Sequence, residues 1–369
     1  MQKAHILLVV RPAAGGIKVH LRSLVKYLAA DFNFTLACPQ EQQRDYQDLP
    51  CRILPLSLSA AVNPLSYLQA VRQLKQYIMK TNSVKLLHAH GFKAAFVARL
   101  AARVCKLPCL VTVHSEFVQA QTALQSELYR TAERVLQRWT AGYITVSFWL
   151  AEQLERQYKI EAGQISVVPN GIELTAGGAA AACTLPFSKE TVLIGTAARL
   201  APQKGLDVLL QAAAILLPRF PELHFVVAGT GPLRAELEKM RQKLALEKHV
   251  HFIGYCRQIE AFLARLSVFV LPARTEAQGI AALEAMRAGC PVVASAVGGL
   301  KEVIKDNVNG LLVPPDNAVS LAAAIEKLLL QPQLAASLSR RARADVCRFN
   351  IDESMRRTKT VYARVLEGR

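Results

Sequence analysis

The sequence predicts an α/β protein built from two doubly wound domains, each a parallel sheet covered by helices. Runs of about four to eight apolar residues alternate with longer segments of helical periodicity, a pattern typical of strands buried on both faces. The same alternation occurs in each half of the 369-residue chain, which is long enough for two hydrophobic cores. We therefore expect two Rossmann-like domains.

The predicted strands form two sets separated by a linker. In the first half they are 5–10, 34–38, 85–89, 110–113, 143–147 and 165–168. In the second half they are 192–196, 223–229, 250–254, 268–271 and 291–295. Residues 175–190, TAGGAAAACTLPFSKE, are low in complexity and poor in large apolar side chains, which predicts a linker. The domains are then 1–174 and 191–351, and we expect the long basic helix at about 352–369 to pack back on the first.

Composition excludes several classes of protein. With 52% apolar and 20% charged residues, the chain is globular rather than disordered. No apolar run approaches the roughly 20 residues that span a bilayer, and the amino-terminal residues lack the features of a signal peptide, so we expect a cytoplasmic location. The eight cysteines have neither zinc-knuckle nor redox-motif spacing, and we interpret them as reduced thiols.

The net charge of +17 favours an anionic partner, although a merely soluble basic surface is the alternative. Aromatic residues make up only 7% of the chain, and the glycine loops contain no interleaved aromatics that could stack on bases, so we expect no nucleic acid partner. The segments 71–80 and 130–139 mix basic and apolar residues. Such helices can lie on an anionic membrane surface, or they can simply pack on a sheet.

Candidate ligand-binding residues follow the predicted strands, because ligands of doubly wound sheets bind beyond the carboxyl ends of the strands. Gly16, in a glycine pair after the first strand, lets backbone approach a ligand, although a tight turn is the alternative. Arg199 and Lys204 follow strand 192–196 and are suited to clamp a diphosphate, unless they are simply solvated. Gly231 lies in a second glycine-rich turn, 228–233.

Two carboxylates lie in the otherwise apolar segment 274–295. We place Glu276 in a loop and Glu284 about one and a half turns into a helix that begins near Gly279. Burying an unpaired carboxylate costs several kcal/mol, so each must be solvated, paired or bound to a ligand. The amides near Gly279 and Ile280 favour a phosphate, while the carboxylates can accept hydrogen bonds from sugar hydroxyls.

Four motifs together make the chain resemble the retaining GT-B glycosyltransferases of family 4. They are Glu-x7-Glu at 276 and 284, Arg-x4-Lys-Gly at 199–205, VPNGIE at 168–173 and GGLKEVIKDNVNGLLVPPDN at 298–317. The resemblance covers nearly the whole chain and is strongest over 190–330. It departs from the family where the loop reads Glu-Ala-Gln-Gly in place of Glu-Gly-Phe-Gly, and where no acidic residue adjoins the first glycine pair.

The resemblance implies a GT-B architecture, in which two Rossmann-like domains face a central cleft, and it implies residue roles. Arg199 and Lys204 would bind the donor diphosphate, Glu284 the ribose and Glu276 the transferred sugar. His114, at the end of a first-domain strand, would face that sugar, whereas His88 and His90 read as structural. The implied donor-binding set is Gly16, Arg199, Lys204, Gly231, Gly254, Tyr255, Glu276, Gly279, Ile280 and Glu284, and the implied catalytic set is Glu276, His114, Arg199 and Lys204.

The expected reaction is a metal-independent transfer with retention from a nucleotide-diphosphate sugar to a glycan or lipid-linked acceptor, in the biosynthesis of cell-surface polysaccharide or lipopolysaccharide. No Asp-x-Asp occurs in the sequence, so fixed cations would replace a metal, and Glu276 is not expected to be a nucleophile. We expect no cofactor. An anionic membrane surface is a further expected partner, with the protein peripheral on its cytosolic face. The alternatives are a GT-B nucleotide-sugar epimerase and a non-catalytic nucleotide-sugar or membrane-surface binder.

Overall fold

The computed structural model describes residues 3–12, 15–58, 64–115, 123–174 and 185–368. It divides into two compact units, which are Met1–Gly171 with Ile351–Arg369 (unit 1) and Ile172–Asn350 (unit 2). Most of the predicted linker, 175–184, lies outside the described residues. Leu185 and Phe187, also placed in that linker, pack partly buried against the core of unit 2.

Parallel strands alternate with helices along the part of the chain that the structure describes. The strands are His5–Val10 (β1), Asn33–Pro39 (β2), Arg52–Leu56 (β3), Val84–His90 (β4), Cys109–Val113 (β5), Gly142–Thr145 (β6), Ile165–Val167 (β7), Leu193–Ala197 (β8), His224–Ala228 (β9), Val250–Gly254 (β10), Val268–Leu271 (β11), Val292–Ser295 (β12) and Leu311–Val313 (β13). The helices are Gly16–Leu28 (α1), Pro64–Thr81 (α2), Phe92–Cys105 (α3), Ala123–Leu136 (α4), Phe148–Tyr158 (α5), Leu206–Leu216 (α6), Arg234–Lys243 (α7), Ile259–Ala264 (α8), Ile280–Ala288 (α9), Leu300–Val303 (α10), Ala318–Leu330 (α11), Pro332–Asp345 (α12) and Ile351–Leu366 (α13). Short 3₁₀ helices span Gln40–Asp45, Gln137–Trp139, Ala162–Gln164, Pro202–Lys204 and Val346–Phe349.

Unit 1 contains a seven-stranded parallel sheet in the order β3-β2-β1-β4-β5-β6-β7. Every residue of β1 and β5 is buried, as expected for strands covered on both faces. The apolar stripe of α13 joins this core through residues such as Met355 and Tyr362, so the carboxyl-terminal helix belongs to unit 1. Leu74 and Ile78 of α2 and Leu136 of α4 are also buried, so one face of each basic segment packs inside the unit.

Unit 2 contains a six-stranded parallel sheet in the order β10-β9-β8-β11-β12-β13. The predicted fold class, two Rossmann-like parallel-sheet domains, is confirmed. Sequence analysis missed β3 and β13, one edge strand of each sheet. β3 contains Pro55, which an edge strand tolerates, and β13 has only three residues, so neither produces a long apolar run.

Two further properties bear on the expected location and chemistry. Within the described ranges, no helix has both the length and the apolar character required to cross a bilayer. None of the seven cysteines that the structure describes forms a disulfide, and Cys38, Cys109 and Cys290 among them are buried.

Candidate active site

Two loops of unit 2 meet where the strand order reverses, between β8 and β11. These strands pair in parallel, so their carboxyl ends open on the same edge of the sheet. Arg274, in the loop after β11, forms an ion pair of 2.5 Å with Asp207 and donates a hydrogen bond of 2.8 Å to the carbonyl of Pro202. Its backbone N–H donates to the carbonyl of Gln203 at 2.8 Å. The loop after β8 is thereby fixed to the loop after β11.

Glycines allow the two loops to approach backbone to backbone. Gly205 has φ +60°, and a Cβ at this position would lie 1.9 Å from the carbonyl oxygen of Pro272. Gly299 supports the other side of the loop, where a Cβ would lie 1.9 Å from the carbonyl oxygen of Ala277. Only residues without a side chain fit these positions, so the shape of this edge is built into the sequence.

Lys204 and Glu276 form an ion pair across these loops, with 2.5 Å between Nζ and Oε2. The second carboxylate oxygen of Glu276 accepts a hydrogen bond from the backbone N–H of Ala277 at 3.0 Å. The side chains of Lys204 and Glu276 are 25% and 15% exposed. Glu276 is therefore tolerated in an apolar segment because it is paired, and both charges remain within reach of a ligand.

Arg199 precedes this pair in the loop after β8. Its side chain is exposed and makes no hydrogen bond or ion pair with any residue that the structure describes. Gly231 lies against the adjacent Leu200, where a Cβ would be 2.3 Å from the carbonyl oxygen. Gly231 therefore acts on the position of the Arg199 loop through backbone contact.

The amino end of α9 lies in the same loop region. Gly279 precedes the helix with φ +91° and provides no side-chain cap, and its carbonyl accepts from the N–H groups of Ala282 and Leu283. The first N–H groups of α9, beginning at Ile280, have no partner within the helix. Together with the helix dipole, they favour an anion.

Glu284 lies in the second turn of α9 and forms no hydrogen bond or ion pair with a described residue. Burial raises its pKa to about 7; the positive charge of Arg287 opposes this rise and Glu260 reinforces it. Arg287 itself is paired with Glu260 at 2.5 Å and donates to the carbonyl of Glu173 at 2.7 Å. The Glu284 carboxyl is therefore poised between its protonated and ionised forms at neutral pH.

The turn after β10 carries Gly254 and Tyr255 of the implied donor-binding set. Gly254 has φ +72°, and its carbonyl accepts a hydrogen bond from the N–H of Gly229 at 2.6 Å, which ties this turn to the one after β9. Tyr255 is 71% exposed, and Cys256 is partly buried. The exposed ring and the backbone of this turn are accessible to a ligand.

Gly16 and His114 belong to unit 1. Gly16 is the first residue of α1, after Gly15 with φ +62°. His114 follows β5, and its Nε2 lies 3.1 Å from Nδ1 of His90. Burial, aided by neighbouring imidazoles and Arg11, lowers the pKa of His114 well below its ordinary value, so the ring is neutral at pH 7.

Sequence analysis missed the surroundings of His114. The ring of His20, from α1, lies 4.9 Å from that of His114, centroid to centroid. His88 is structural, since its ring nitrogens lie 2.7 Å from hydroxyls of Tyr362 and Thr112. The proximity of these histidines could have been inferred from the strand order, because β4 ends at His90 and the adjacent strand β5 is followed directly by His114.

Comparisons with known proteins match both units. The family model for glycosyl transferases group 1 matches residues 184–345, and that for a glycosyl transferase 4-like domain matches 15–171. An uncharacterized glycosyltransferase of Methanocaldococcus jannaschii is 27% identical over 86% of this chain and 84% of its own length. The D-inositol 3-phosphate glycosyltransferase of Streptomyces bingchenggensis is 30% identical over 77% of this chain and 67% of its own.

A solved structure agrees in fold. Anabaena Alr3699/HepE, in complex with UDP-glucose, superposes with a TM-score of 0.81 at 20% identity, covering 98% of this chain and 100% of the Anabaena chain. At that identity the likeness shows the fold alone, while the sequence relatives and the family models show the lineage. The chain therefore belongs to the glycosyl transferases group 1 family and is a GT4-type glycosyltransferase of the GT-B fold.

Proposed function

We propose that this enzyme transfers a sugar, with retention of configuration, from a nucleoside-diphosphate sugar to a glycan or lipid-linked acceptor in cell-surface polysaccharide or lipopolysaccharide-type biosynthesis. The observation that carries the proposal is the edge of unit 2, where Arg199, Lys204 and the amino end of α9 follow strands on either side of the strand-order reversal. Two cations and a helix dipole favour the diphosphate of such a donor. The UDP-glucose complex of the Anabaena protein supports the same class of donor.

Lys204 is proposed to bind a phosphate oxygen of the donor while it remains paired with Glu276. Its ammonium has three N–H donors, so it can keep its bond to Glu276 and also donate to a phosphate oxygen. The Arg199 side chain makes no hydrogen bond or ion pair with a described residue, so it loses no such contact when a donor binds. Its planar guanidinium can donate to two phosphate oxygens at once. Both cations offset the charge that grows on the leaving diphosphate, which lowers the barrier to transfer.

Glu276 and Glu284 are proposed to bind hydroxyls of the donor. Glu276 retains lone pairs beyond its bonds to Lys204 and Ala277, and a sugar hydroxyl can donate to them. Glu284 can accept from the vicinal hydroxyls of a ribose, which favours its ionised form and lowers its raised pKa. His114 is proposed to contact the transferred sugar as a neutral hydrogen-bonding group.

The transfer is proposed to follow a front-face route that requires no metal and no protein nucleophile. The bond between the anomeric carbon and the diphosphate oxygen breaks, the acceptor oxygen bonds to the anomeric carbon on the same face, and the leaving phosphate takes the acceptor's proton. Arg199 and Lys204 supply the fixed positive charge. Glu276 then positions the sugar and does not bond to it.

A screen of donors followed by product analysis tests the proposal. In a thermal-shift panel of UDP-, GDP- and ADP-sugars, the true donor at 100 times its dissociation constant adds about 2.7 kcal/mol of stability. The donor found is then incubated with extracted glycans, lipid-linked sugars and inositol phosphates, because one relative is a D-inositol 3-phosphate glycosyltransferase. We expect transfer in EDTA, and an α-linked product from an α-linked donor by NMR.

Three other outcomes contradict parts of the proposal. An inverted anomeric centre contradicts retention. Epimerisation of the donor sugar without an acceptor identifies an epimerase, since a transferase would at most hydrolyse the donor slowly. Binding without turnover in any acceptor mixture identifies a non-catalytic binder. We also propose that the protein associates peripherally with an anionic membrane surface, as the net charge of +17 favours. Sedimentation with anionic vesicles at low salt tests this association, and a protein that stays in the supernatant contradicts it.

A further inference from the structure

Three histidines of unit 1 converge at the carboxyl edge of its sheet. His20 comes from α1, His90 ends β4 and His114 follows β5. One ring nitrogen from each lies within 4.8 Å of the other two. Separate elements of the fold thus bring three potential ligand atoms to one place.

The polar atoms of this group are incompletely satisfied. Nδ1 of His90 and Nε2 of His114 are hydrogen-bonded at 3.1 Å. The remaining Nε2 of His90 and the Nε2 of His20 are buried and have no hydrogen-bond partner in the described part of the chain. His90 and His20 are 0% and 6% exposed. Buried unsatisfied nitrogens cost about 1–3 kcal/mol each, so they point to a missing ligand.

The electrostatics of the group select the kind of ligand. Burial lowers the pKa of His20 to about 4 and those of His90 and His114 well below the ordinary value, so all three rings are neutral, which is the metal-binding form. The group contains no carboxylate. Mg²⁺ and Ca²⁺ prefer oxygen ligands, whereas Zn²⁺, Co²⁺, Ni²⁺ and Cu²⁺ bind imidazole well.

The spacing suits a tetrahedral ion. Bonds of about 2.0–2.1 Å place the ligand nitrogens about 3.4 Å apart. One nitrogen from each of the three rings lies within 4.8 Å of the other two, so ring rotations need to shorten these separations by at most about 1.4 Å.

We propose that His20, His90 and His114 bind one transition-metal ion of the Zn²⁺ class through three ring nitrogens, with the fourth position open to water. A metal held there takes the lone pair of His114, so occupancy inhibits sugar transfer. This second statement rests on the proposed function, whereas metal binding itself does not. The metal is therefore an inhibitory ligand and not a cofactor of the transfer.

Co²⁺ titration of the full chain, without a histidine tag, tests the proposal. We expect one equivalent to bind with the intense visible bands of tetrahedral coordination, and Zn²⁺ to displace it. His20→Gln, His90→Gln and His114→Gln should each weaken binding by at least about 10-fold. The matched control is His251→Gln, because His251 Nε2 also lies 3.1 Å from a histidine nitrogen, Nδ1 of His224 in unit 2. The ring of His249 stacks on His224, but among the described residues these three histidines do not bring three ligand nitrogens within 4.8 Å of one another.

The partly exposed His114 is the ligand whose replacement disturbs packing least, and thermal unfolding checks the fold of each variant. Absence of stoichiometric Co²⁺ binding by the unaltered chain overturns the proposal, as does undiminished binding by His114→Gln or loss of binding in His251→Gln. Zn²⁺ inhibition of transfer supports the second statement. Metal binding with undiminished transfer overturns that statement and leaves the site intact.

Discussion

The two units share one kind of fold, but the side chains at the carboxyl edges of their sheets differ in charge. In unit 2 the edge between β8 and β11 holds fixed charges, with Lys204 paired to Glu276 and Arg199 exposed. In unit 1 the neighbouring strands β4 and β5 lead to imidazoles that burial keeps neutral. The fold thus determines where a ligand can bind, while the side chains at that place determine which ligand it is.

The largest expected effect comes from removing the charge at the edge of unit 2. Lys204→Met should lower kcat/KM by about 10²–10³-fold, because a preorganised cation on a developing anion contributes about 3–4 kcal/mol to the transition state. Steady-state transfer kinetics measure it. The double variant Lys204→Met with Glu276→Gln removes both charges and controls for the carboxylate left unpaired; recovery of full activity in it would contradict a direct role for Lys204.

The backbone of the same edge gives the next largest effect. Gly205→Ala should lower the free energy of unfolding by about 3 kcal/mol, because its Cβ meets the Pro272 carbonyl in a left-handed conformation. Gly254→Ala is the matched control, with φ +72° but nothing within 4 Å of the new Cβ, and should cost about 1 kcal/mol. Denaturant unfolding measures both, and equal losses would show that close approach is not what requires Gly205.

Opposite pH dependences should distinguish the two units. Burial raises the pKa of Glu284 from 4.5 to about 7, so its contribution to stability is present below pH 4.5 and is lost as pH rises toward 7. Burial lowers the pKa of His20 from 6.5 to about 4, so its contribution is present above pH 6.5 and is lost as pH falls toward 4. Each effect is at most roughly 3.5 kcal/mol.

Hydrogen exchange in EDTA between pH 4 and 7, corrected for intrinsic exchange rates, measures the protection of the backbone amides of β4 and β5 and compares it with that of α9. We expect protection of the strands to rise with pH and that of α9 to fall. Glu284→Gln should flatten the second slope only. Slopes of the same sign in both units contradict the electrostatic contrast between them.

The smallest expected effect on transfer comes from Glu276. Glu276→Gln keeps a hydrogen-bond acceptor and should lower kcat by about 10–100-fold, equivalent to about 1.4–2.7 kcal/mol. Loss of a nucleophile costs far more, on the order of 10⁶-fold. Single-turnover kinetics measure the change, and detection of a glycosyl adduct on Glu276 by mass spectrometry refutes the front-face assignment.

Sequence analysis predicted the two-sheet fold well, because strands buried on both faces produce uninterrupted apolar runs. It missed β3 and β13, since edge strands need not be apolar throughout or long. It anticipated that Glu276 must be paired, solvated or bound to a ligand, but its partner Lys204 lies 72 residues away in sequence. A pairing across two loops depends on strand order, which spacing alone does not give.

The histidine group shows the same limit in unit 1. His90 reads as structural in the sequence, since a histidine at a strand end is usually satisfied by neighbours. Its unsatisfied Nε2 becomes visible only once α1, β4 and β5 are packed together. His20 carries no motif at all, and its position on the inward face of α1 brings it to the group.

The central claim is that the edge of unit 2 binds a diphosphate, and calorimetric affinities test it most directly. The quantity measured is the dissociation constant of a nucleoside divided by that of its diphosphate, for the base that binds best. It is determined for the unaltered chain, for Lys204→Met and for His114→Gln. We predict a large ratio that falls at least about 10-fold in Lys204→Met and is retained in His114→Gln, because one charge-assisted phosphate contact contributes about 1.5–3 kcal/mol. An unchanged ratio in Lys204→Met would contradict the account.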